Sequence, residues 1–308
     1  MSNRYVGAVG AAAAMIAAAW LSSPLSARGQ TPAAAAKPTS ANATSTLPRT
    51  PDGQPDIRGV WSKTGGGIQE AHPPKTPLND TKNAEGADAF GVNAEPIGFS
   101  NVTTEKARIA PEGPRRTTGV VDPPDKVLPW RPEADAKRRE FISKMIPPPS
   151  LQYLEMNSRC APPAPWAGGA MQILQRPGAV VMVFENDHAS RNIALDGRPH
   201  LGPAFRFFMG DSVGRWEGNT LVVDTTNLNG NAEFGRDFPY YSDAMHVIER
   251  FTVADANSID YEIAYDDPKL FTRPIKSVGY LTRAFKEYEL RENACAEGSH
   301  TLRNIFGF

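Results

Sequence analysis

A surplus of charge of either sign is absent from this chain. Its 308 residues include 33 Lys and Arg and 34 Asp and Glu, which gives a formal net charge of −1. Because there is no basic surplus and no basic tract, the sequence indicates neither a nucleic acid nor an anionic membrane as a partner. It also has no Gly-x-Gly-x-x-Gly motif and no phosphate-binding loop, so neither a dinucleotide nor ATP is predicted, and we expect no cofactor.

The N-terminus carries an apolar, alanine-rich run from Val6 to Leu21, preceded by Arg4. Small residues on both sides of Arg28 favour cleavage before Gln30, so residues 1–29 are predicted to be a signal peptide. A membrane anchor is the alternative, but the run is short and weakly hydrophobic for a span. We therefore expect the mature protein in the periplasm or outside the cell, with no membrane span.

Only two cysteines occur, Cys160 and Cys295. They are too few and too far apart to form a zinc site of their own. In an oxidising compartment such a pair is more often joined than free, which predicts a disulfide between them. Two buried, unpaired thiols are the alternative.

Composition divides the mature chain into three parts. Residues 30–50 are a linker rich in Ala, Pro, Ser and Thr that cannot bury a core. Residues 51–150 are broken by Pro and Gly, which predicts irregular loops packed on the rest of the domain. One helix is predicted within them, over Pro132–Met145, because it begins at a proline and is stopped by Pro147. Residues 151–308 are predicted to be the main domain.

Short β-strands separated by turn signals dominate the main domain. Nine are predicted: Met171–Gln175, Ala179–Glu185, Arg191–Leu195, Arg206–Met209, Thr220–Thr225, Met245–Val253, Ser258–Tyr265, Ile275–Thr282 and Phe285–Leu290. Strands without helices between them favour an antiparallel sheet that closes on itself. The predicted fold is mostly β: a lipocalin-like or calycin-like barrel of about eight to ten strands, with a β-sandwich as the alternative. The Ser258–Tyr265 strand should present a tyrosine-lined inner face.

Glu249 interrupts a strand face that otherwise carries Val and Phe residues. A carboxylate in such a place must be paired, protonated or exposed to a wet cavity. One interpretation is an acid or base inside the barrel. The other is a buried ion pair, with Arg191, Arg215 or Arg250 as the partner.

Three of the five histidines lie between Phe184 and Arg250, and each is predicted at a strand end. Imidazole titrates near neutral pH and a carboxylate can orient it, which suits proton transfer. The candidate catalytic residues are His188, His246, Glu249 and Asp211. The candidate substrate-binding residues are Arg191, His200, Arg215, Trp216 and Tyr261. We expect them to converge at one mouth of the barrel, with Glu249 roughly 10 Å below His246 along its strand.

Two other kinds of site find little support in the sequence. A metal could in principle be bound by His188, His200 and His246 with Asp187 or Asp211. No spacing such as His-x-His or His-Glu-x-x-His supports such a site, so no metal is predicted. A serine nucleophile is not predicted either, because the Asp211-Ser-Val-Gly segment is interpreted as lacking the nucleophile elbow.

Five segments together resemble a family of exported bacterial proteins, most of them hypothetical. They are Pro-Asp-Gly-x-Pro-Asp-x-x-Gly-x-Trp (51–61), Arg-Cys-x-Pro-Pro (159–163), Asp-Gly-Arg-Pro-His (196–200), Gly-Arg-Trp-Glu-Gly-x-Thr-Leu-Val-Val-Asp-Thr (214–225) and His-Val-x-Glu-Arg (246–250). The resemblance covers residues 50–295 and implies an exported location and a Cys160–Cys295 pairing. It carries no established chemistry. The chain departs from the family's pattern at Glu185–His188, where an aromatic residue is expected before the Asn–His pair.

Three functions are compatible with these residues. The first is an exported, cofactor-free enzyme that performs acid–base chemistry of lyase, hydratase, isomerase or cyclase type on a small, partly apolar molecule. The second is a lipocalin-like protein that binds a small molecule in its barrel. The third is a metal-dependent hydrolase or oxygenase. A carboxylate in the barrel within reach of a histidine favours the first over the second.

Overall fold

A computed structural model describes residues 47–68, 116–145, 148–153, 164–166, 168–185, 189–230 and 240–291. All of them belong to one compact unit, Ser45–Phe308. The predicted signal peptide, most of the predicted linker and both cysteines lie outside the described residues.

The described residues form ten β-strands and one α-helix. The strands are β1 (Gly59–Gly65), β2 (Gly119–Asp122), β3 (Gly169–Arg176), β4 (Ala179–Phe184), β5 (Ser190–Ala194), β6 (Asp211–Glu217), β7 (Thr220–Thr226), β8 (His246–Asp255), β9 (Ser258–Asp266) and β10 (Ile275–Arg283). The helix, α1, spans Pro132–Ser143, and a 3-10 turn covers Leu151–Tyr153. The predicted helix is thus confirmed, with proline in its first turn. No helix among the described residues is both long and apolar enough to cross a membrane.

Nine of the strands close into a barrel. Their order is β1-β3-β4-β5-β6-β7-β8-β9-β10, and β1 pairs back onto β10 through Trp61–Gly65 and Gly279–Arg283. β2 pairs with β10 at Lys276–Val278, beyond the end of β1. The prediction of a mostly β fold with a closed barrel is confirmed. Closure also rules out the β-sandwich, because a sandwich keeps two separate sheets with free edges.

Burial alternates along the barrel strands, as expected for a wall with a packed interior on one side. On β8 and β9 the buried residues are Val247, Glu249, Phe251, Val253, Ile259, Tyr261, Ile263 and Tyr265. The predicted tyrosine-lined inner face is therefore present. Large side chains from the other walls fill the same interior, among them Trp61, Met171, Met182 and Ile193. The core of the protein is the inside of the barrel.

β5 and β6 are parallel, whereas the other neighbouring strands are antiparallel. A parallel pair requires the chain to return to its starting end, and residues 196–210 make this return along the exposed side of the wall. We call this segment the crossover. It is fastened to the barrel by Asn227, whose Nδ2 donates to Leu201 O at 2.9 Å and to Gly202 O at 3.1 Å.

Two predicted strands, Arg206–Met209 and Phe285–Leu290, are not strands in the structure. The apolar run in the first predicts a buried strand, but Phe207 and Phe208 are exposed on the crossover. Conversely, β6 occupies Asp211–Glu217, which is not among the nine predicted strands, because its outward-facing charged residues hide the strand pattern. β1 and β2 arise within residues 51–150, so that region supplies barrel strands as well as loops.

Candidate functional site

The predicted site residues separate into two groups on opposite faces of the barrel wall. His246 and Glu249 are three positions apart on β8, and successive side chains of a strand alternate between faces. Glu249 therefore points inwards and is 1% exposed, whereas His246 is on the outer face. They do not form one site, and the expectation of a carboxylate beneath a histidine at a common mouth is wrong.

The interior group is centred on an ion pair between Arg191 of β5 and Glu249 of β8. Arg191 Nη2 lies 2.5 Å from Glu249 Oε2, and both side chains are 1% exposed. Arg191 also donates from Nε to Ser212 Oγ at 3.0 Å and from Nη2 to Thr225 Oγ1 at 2.7 Å. These partners come from the inner faces of β6 and β7, so the guanidinium bridges four adjacent strands.

Tyr261 completes the hydrogen bonding of Glu249. Its hydroxyl donates to Glu249 Oε1 at 2.7 Å, so each carboxylate oxygen accepts one bond from a buried donor. Burial, followed by the negative charge of Glu249, raises the pKa of Tyr261 well above 10. The phenol thus remains a hydrogen-bond donor at neutral pH. Of the two interpretations of Glu249, these contacts match the ion pair with Arg191.

Lys63 of β1 is a second buried cation near this pair, and the sequence had not singled it out. Its Nζ donates to Trp166 O at 2.6 Å and lies 4.0 Å from the ring centroid of Tyr261. Burial lowers the pKa of Lys63 to about 7; the charge of Glu249 opposes that shift and the charge of Arg191 adds to it. No sequence pattern could find this residue, because a lone Lys in a strand is ordinarily exposed.

The outer group is an alternating chain of carboxylates and imidazoles, Asp211–His200–Asp224–His246. His200 Nδ1 is 3.1 Å from Asp211 Oδ2, and His200 Nε2 is 3.1 Å from Asp224 Oδ1. The same Asp224 oxygen is 2.8 Å from His246 Nε2. Two imidazoles therefore meet at one carboxylate oxygen. We call these four residues the His–Asp chain.

Three adjacent strands and the crossover bring the His–Asp chain together. Asp211 begins β6, Asp224 lies near the end of β7 and His246 begins β8, and antiparallel pairing places all three at the same end of the wall. His200 reaches them from the crossover, which lies against this end. Glycine is needed at position 210 for two reasons. Its backbone is left-handed (φ +66°), and a Cβ there would come within 2.7 Å of Thr226 O.

Asp211 is the fixed end of the chain. Arg198 of the crossover contacts both of its oxygens, at 2.5 and 3.1 Å, and Leu201 N–H donates to Oδ2 at 2.8 Å. Burial would raise the pKa of Asp211 and is the largest single influence. The hydrogen bonds from Arg198, Leu201 and His200 together outweigh it and lower the pKa to about 2. Asp211 is consequently an anion at any physiological pH and holds His200 in place.

His246 is the open end of the chain, with 42% of its side chain exposed. The hydrogen bond to Asp224 raises its pKa above 6.5, with burial acting in the opposite direction. At Asp224, burial acts to raise the pKa, but the bond from His246 and the charges of His246 and His200 lower it overall. The hydrogen bond that the described residues make to His246 uses Nε2, so within that part of the chain Nδ1 is not engaged.

The remaining predicted site residues are elsewhere or outside the described part of the chain. Arg215 is 65% exposed and pairs with Glu217 on the outer wall, and Trp216 packs against the core. Neither contacts the His–Asp chain. His188, Asp187, Cys160 and Cys295 lie outside the described residues.

Ser212 belongs to a Gly-x-Ser-x-Gly sequence, Gly210–Gly214. A serine nucleophile requires that motif at an exposed strand-to-helix turn. Here Ser212 lies inside β6, is 1% exposed, and its hydroxyl is bonded to Arg191 and Thr225. The motif is structural in this fold.

Asp224 and Arg198 complete the outer site and were absent from the predicted set. The sequence does indicate Asp224, because a carboxylate is unusual in an otherwise aliphatic strand. Arg198 could not be identified in this way, because its segment has the sequence of an ordinary turn. Within the described residues, no three His, Cys, Asp or Glu side chains are arranged to hold a metal ion. Comparison of the chain with protein-family models, curated proteins and solved structures finds no match.

Proposed function

We propose that this protein is an exported enzyme that transfers protons to and from a small, partly apolar substrate at the His–Asp chain. The observation that carries the proposal is that Asp224 Oδ1 holds two imidazoles, at 3.1 and 2.8 Å, and that one of them is partly exposed. Histidine is the most frequent general acid–base group, and a neighbouring carboxylate orients its ring.

In the proposed mechanism, His246 Nδ1 removes a proton from the substrate and returns it to the product. Asp224 accepts a hydrogen bond from Nε2–H, which fixes the tautomer that leaves Nδ1 as the base. Its negative charge then stabilises the imidazolium that forms. His200, anchored by Asp211, holds the carboxylate in position from the other side. Lyase, hydratase and isomerase reactions all contain such a step.

The interior group is poorly suited to catalysis, which favours the His–Asp chain as the site. Arg191, Glu249 and Tyr261 are buried, and their mutual hydrogen bonds leave no carboxylate oxygen without a donor. A substrate would have to displace packed side chains to reach them. The same packing weighs against a ligand held inside the barrel, as in the lipocalin-like alternative.

Exchange of substrate protons with solvent deuterium tests the proposal without knowledge of the natural substrate. The protein is incubated in D₂O with a panel of small ketones, enones and hydroxy acids, and deuterium incorporation is followed by mass spectrometry. We expect the wild type to catalyse exchange in at least one member. His246→Gln and Asp224→Asn should each lower that rate by roughly 10²–10⁴-fold, the usual contribution of a general base.

The control is Arg215→Gln, a change on the same outer wall away from the His–Asp chain, which should leave exchange unaltered. Exchange that survives His246→Gln would exclude this site. Failure of the wild type to exchange any member of a broad panel would count against acid–base catalysis at carbon.

A further inference from the structure

The crossover carries an unusual exposed apolar surface. Leu201, Phe205, Phe207 and Phe208 are 39%, 55%, 41% and 37% exposed and lie within eight residues of one another. The other large apolar residues of comparable exposure are scattered over the described chain: Val121, Val127, Leu151, Leu174 and Phe285. We call the four crossover residues the aromatic patch. Scattered apolar residues need no explanation, whereas the largest apolar patch of a protein is often a functional surface.

The aromatic patch is held in place by the barrel. Phe207 N–H donates to Asn227 O at 2.9 Å, and Asn229 N–H donates to Phe207 O at 3.0 Å. The buried Tyr241 donates its hydroxyl to Phe208 O at 3.2 Å. The backbone of Phe207 and Phe208 is therefore fastened to the barrel while their side chains are exposed.

The charge of the crossover also distinguishes it from the rest of the chain. Residues 196–210 contain Arg198 and Arg206 and one acidic residue, Asp196 at the start of the segment, whereas acidic residues slightly outnumber basic ones overall. Arg198 is engaged with Asp211. Arg206 follows Phe205 in the sequence and, within the described part of the chain, donates to the backbone carbonyl of Asp243 at 2.9 Å. The carboxylate of Asp243 is itself paired with Lys269. Arg206 thus supplies a positive charge in the same segment as the three phenylalanines, and its hydrogen bond to Asp243 is made to the backbone carbonyl rather than to the carboxylate.

We propose that the aromatic patch docks the barrel onto an anionic lipid surface. Phenylalanine side chains that enter the boundary between headgroups and acyl chains, next to a basic residue at the phosphate level, are the chemistry of interfacial anchors. The near-neutral net charge of the whole chain gives no indication of a membrane-binding surface. The fold exposes the segment in which Leu201 and the three phenylalanines accompany Arg206.

The size of the patch favours lipid over a second copy of the chain. A phenylalanine offers about 200 Å² of surface, so the exposed fractions of the three rings amount to roughly 300 Å². A stable protein–protein interface buries about 800 Å² on each partner. Insertion into a membrane surface requires only a few apolar side chains, because its strength scales with their buried area plus attraction to anionic lipids.

Sedimentation with vesicles tests the proposal. The exported protein is mixed with vesicles of phosphatidylglycerol and phosphatidylethanolamine, or of phosphatidylcholine alone, and the bound fraction is measured. We expect preferential binding to the anionic vesicles. The triple variant Phe205→Ser, Phe207→Ser, Phe208→Ser should bind at least about tenfold less, and Arg206→Gln should reduce binding to the anionic vesicles only.

The matched controls are Leu174→Ser and Phe285→Ser, which remove exposed apolar side chains elsewhere and should bind as the wild type does. Every variant carries the same N-terminus, so any contribution of residues 1–29 is common to all, and thermal unfolding confirms that each is folded. Equal binding by the triple variant, or an equal loss in the Phe285 control, would overturn the proposal. So would a concentration-dependent dimer that the triple variant abolishes in the absence of vesicle binding.

Discussion

Asp224 is the residue on which the proposed chemistry depends, because two imidazoles share its Oδ1 atom. Removing its charge removes the main cause of the raised pKa of His246. We predict that Asp224→Asn lowers the pKa of His246, as measured by the pH dependence of its imidazole NMR signals. Asp266 also acts on His246, but only through space, so Asp266→Asn should produce a smaller decrease. Equal decreases in the two variants would mean that Asp224 has no special role.

Lys63 should make stability depend on pH in the alkaline range. Its pKa is about 7 in the folded protein against 10.5 for an unperturbed lysine. Between these values the unfolded chain binds a proton that the folded chain does not, so stability increases with pH, by up to about 1.4 kcal/mol per unit. We predict that urea denaturation between pH 7 and 9 shows this slope and that Lys63→Met removes it. Lys276→Met, on the exposed face of β10, should leave it intact.

Glu249 provides a test of the ion-pair interpretation. Glu249→Gln leaves the buried Arg191 charge without a compensating carboxylate, which costs about 3–5 kcal/mol in comparable cases. We predict a loss of stability of this order, measured by chemical denaturation, with deuterium exchange at the His–Asp chain retained in the folded fraction. The double variant Arg191→Met, Glu249→Met should be more stable than either single change, since neither charge is then stranded. Loss of exchange at unchanged stability would instead make Glu249 catalytic.

Among the elements, the pairing of β1 with β10 decides whether the barrel closes. Gly279 permits it, because a Cβ there would lie 2.4 Å from Thr64 O and 2.8 Å from Gly66 N. Backbone atoms cannot give way as a flexible side chain does. We predict that Gly279→Ala lowers stability by at least about 1–3 kcal/mol, the usual cost of overpacking, in a urea denaturation curve. Gly202→Ala, where a Cβ would meet nothing within 4 Å, is the control and should be neutral.

The crossover is the element that joins the two proposed functions. It supplies His200 and Arg198 to the His–Asp chain and presents the aromatic patch from the same short segment. It exists because β5 and β6 are parallel, so the chain must return along the barrel before β6 begins. If both proposals hold, the reaction takes place close to the lipid surface, which suits a partly apolar substrate.

For the whole molecule, the sequence predicts export and an oxidising environment. We predict that protein recovered from the periplasm or medium begins near Gln30 and that non-reducing peptide mapping joins Cys160 to Cys295. Closure of so long a loop would contribute about 4–5 kcal/mol on the chain-entropy model. Recovery of an uncleaved chain from the cytosol alone would contradict export, and titration of two free thiols in the exported protein would contradict the pairing.

The sequence by itself determined the fold class, because period-two burial is a local property. The alternation of Ile259, Tyr261, Ile263 and Tyr265 with polar residues predicts a strand whatever its neighbours in the sheet are. The helix that begins at Pro132 can be predicted locally in the same way. It also identified several of the chemistry-bearing residues, including Asp211, His200 and His246. For Glu249 a buried ion pair was one of two interpretations, with Arg191 as one of three possible partners.

Only the tertiary structure decided which of these residues meet. The register of β7 and β8 places Asp224 beside His246. The crossover places His200 beside Asp224, from which it is 24 positions away in the sequence. Local patterns do not record such distant pairings, which depend on how the wall curves and closes. Closure also decided which face of each strand is core and which is solvent, so Glu249 lies inside and His246 outside. The three phenylalanines of the crossover lie on the surface, although a hydrophobic run by itself predicts that they are buried.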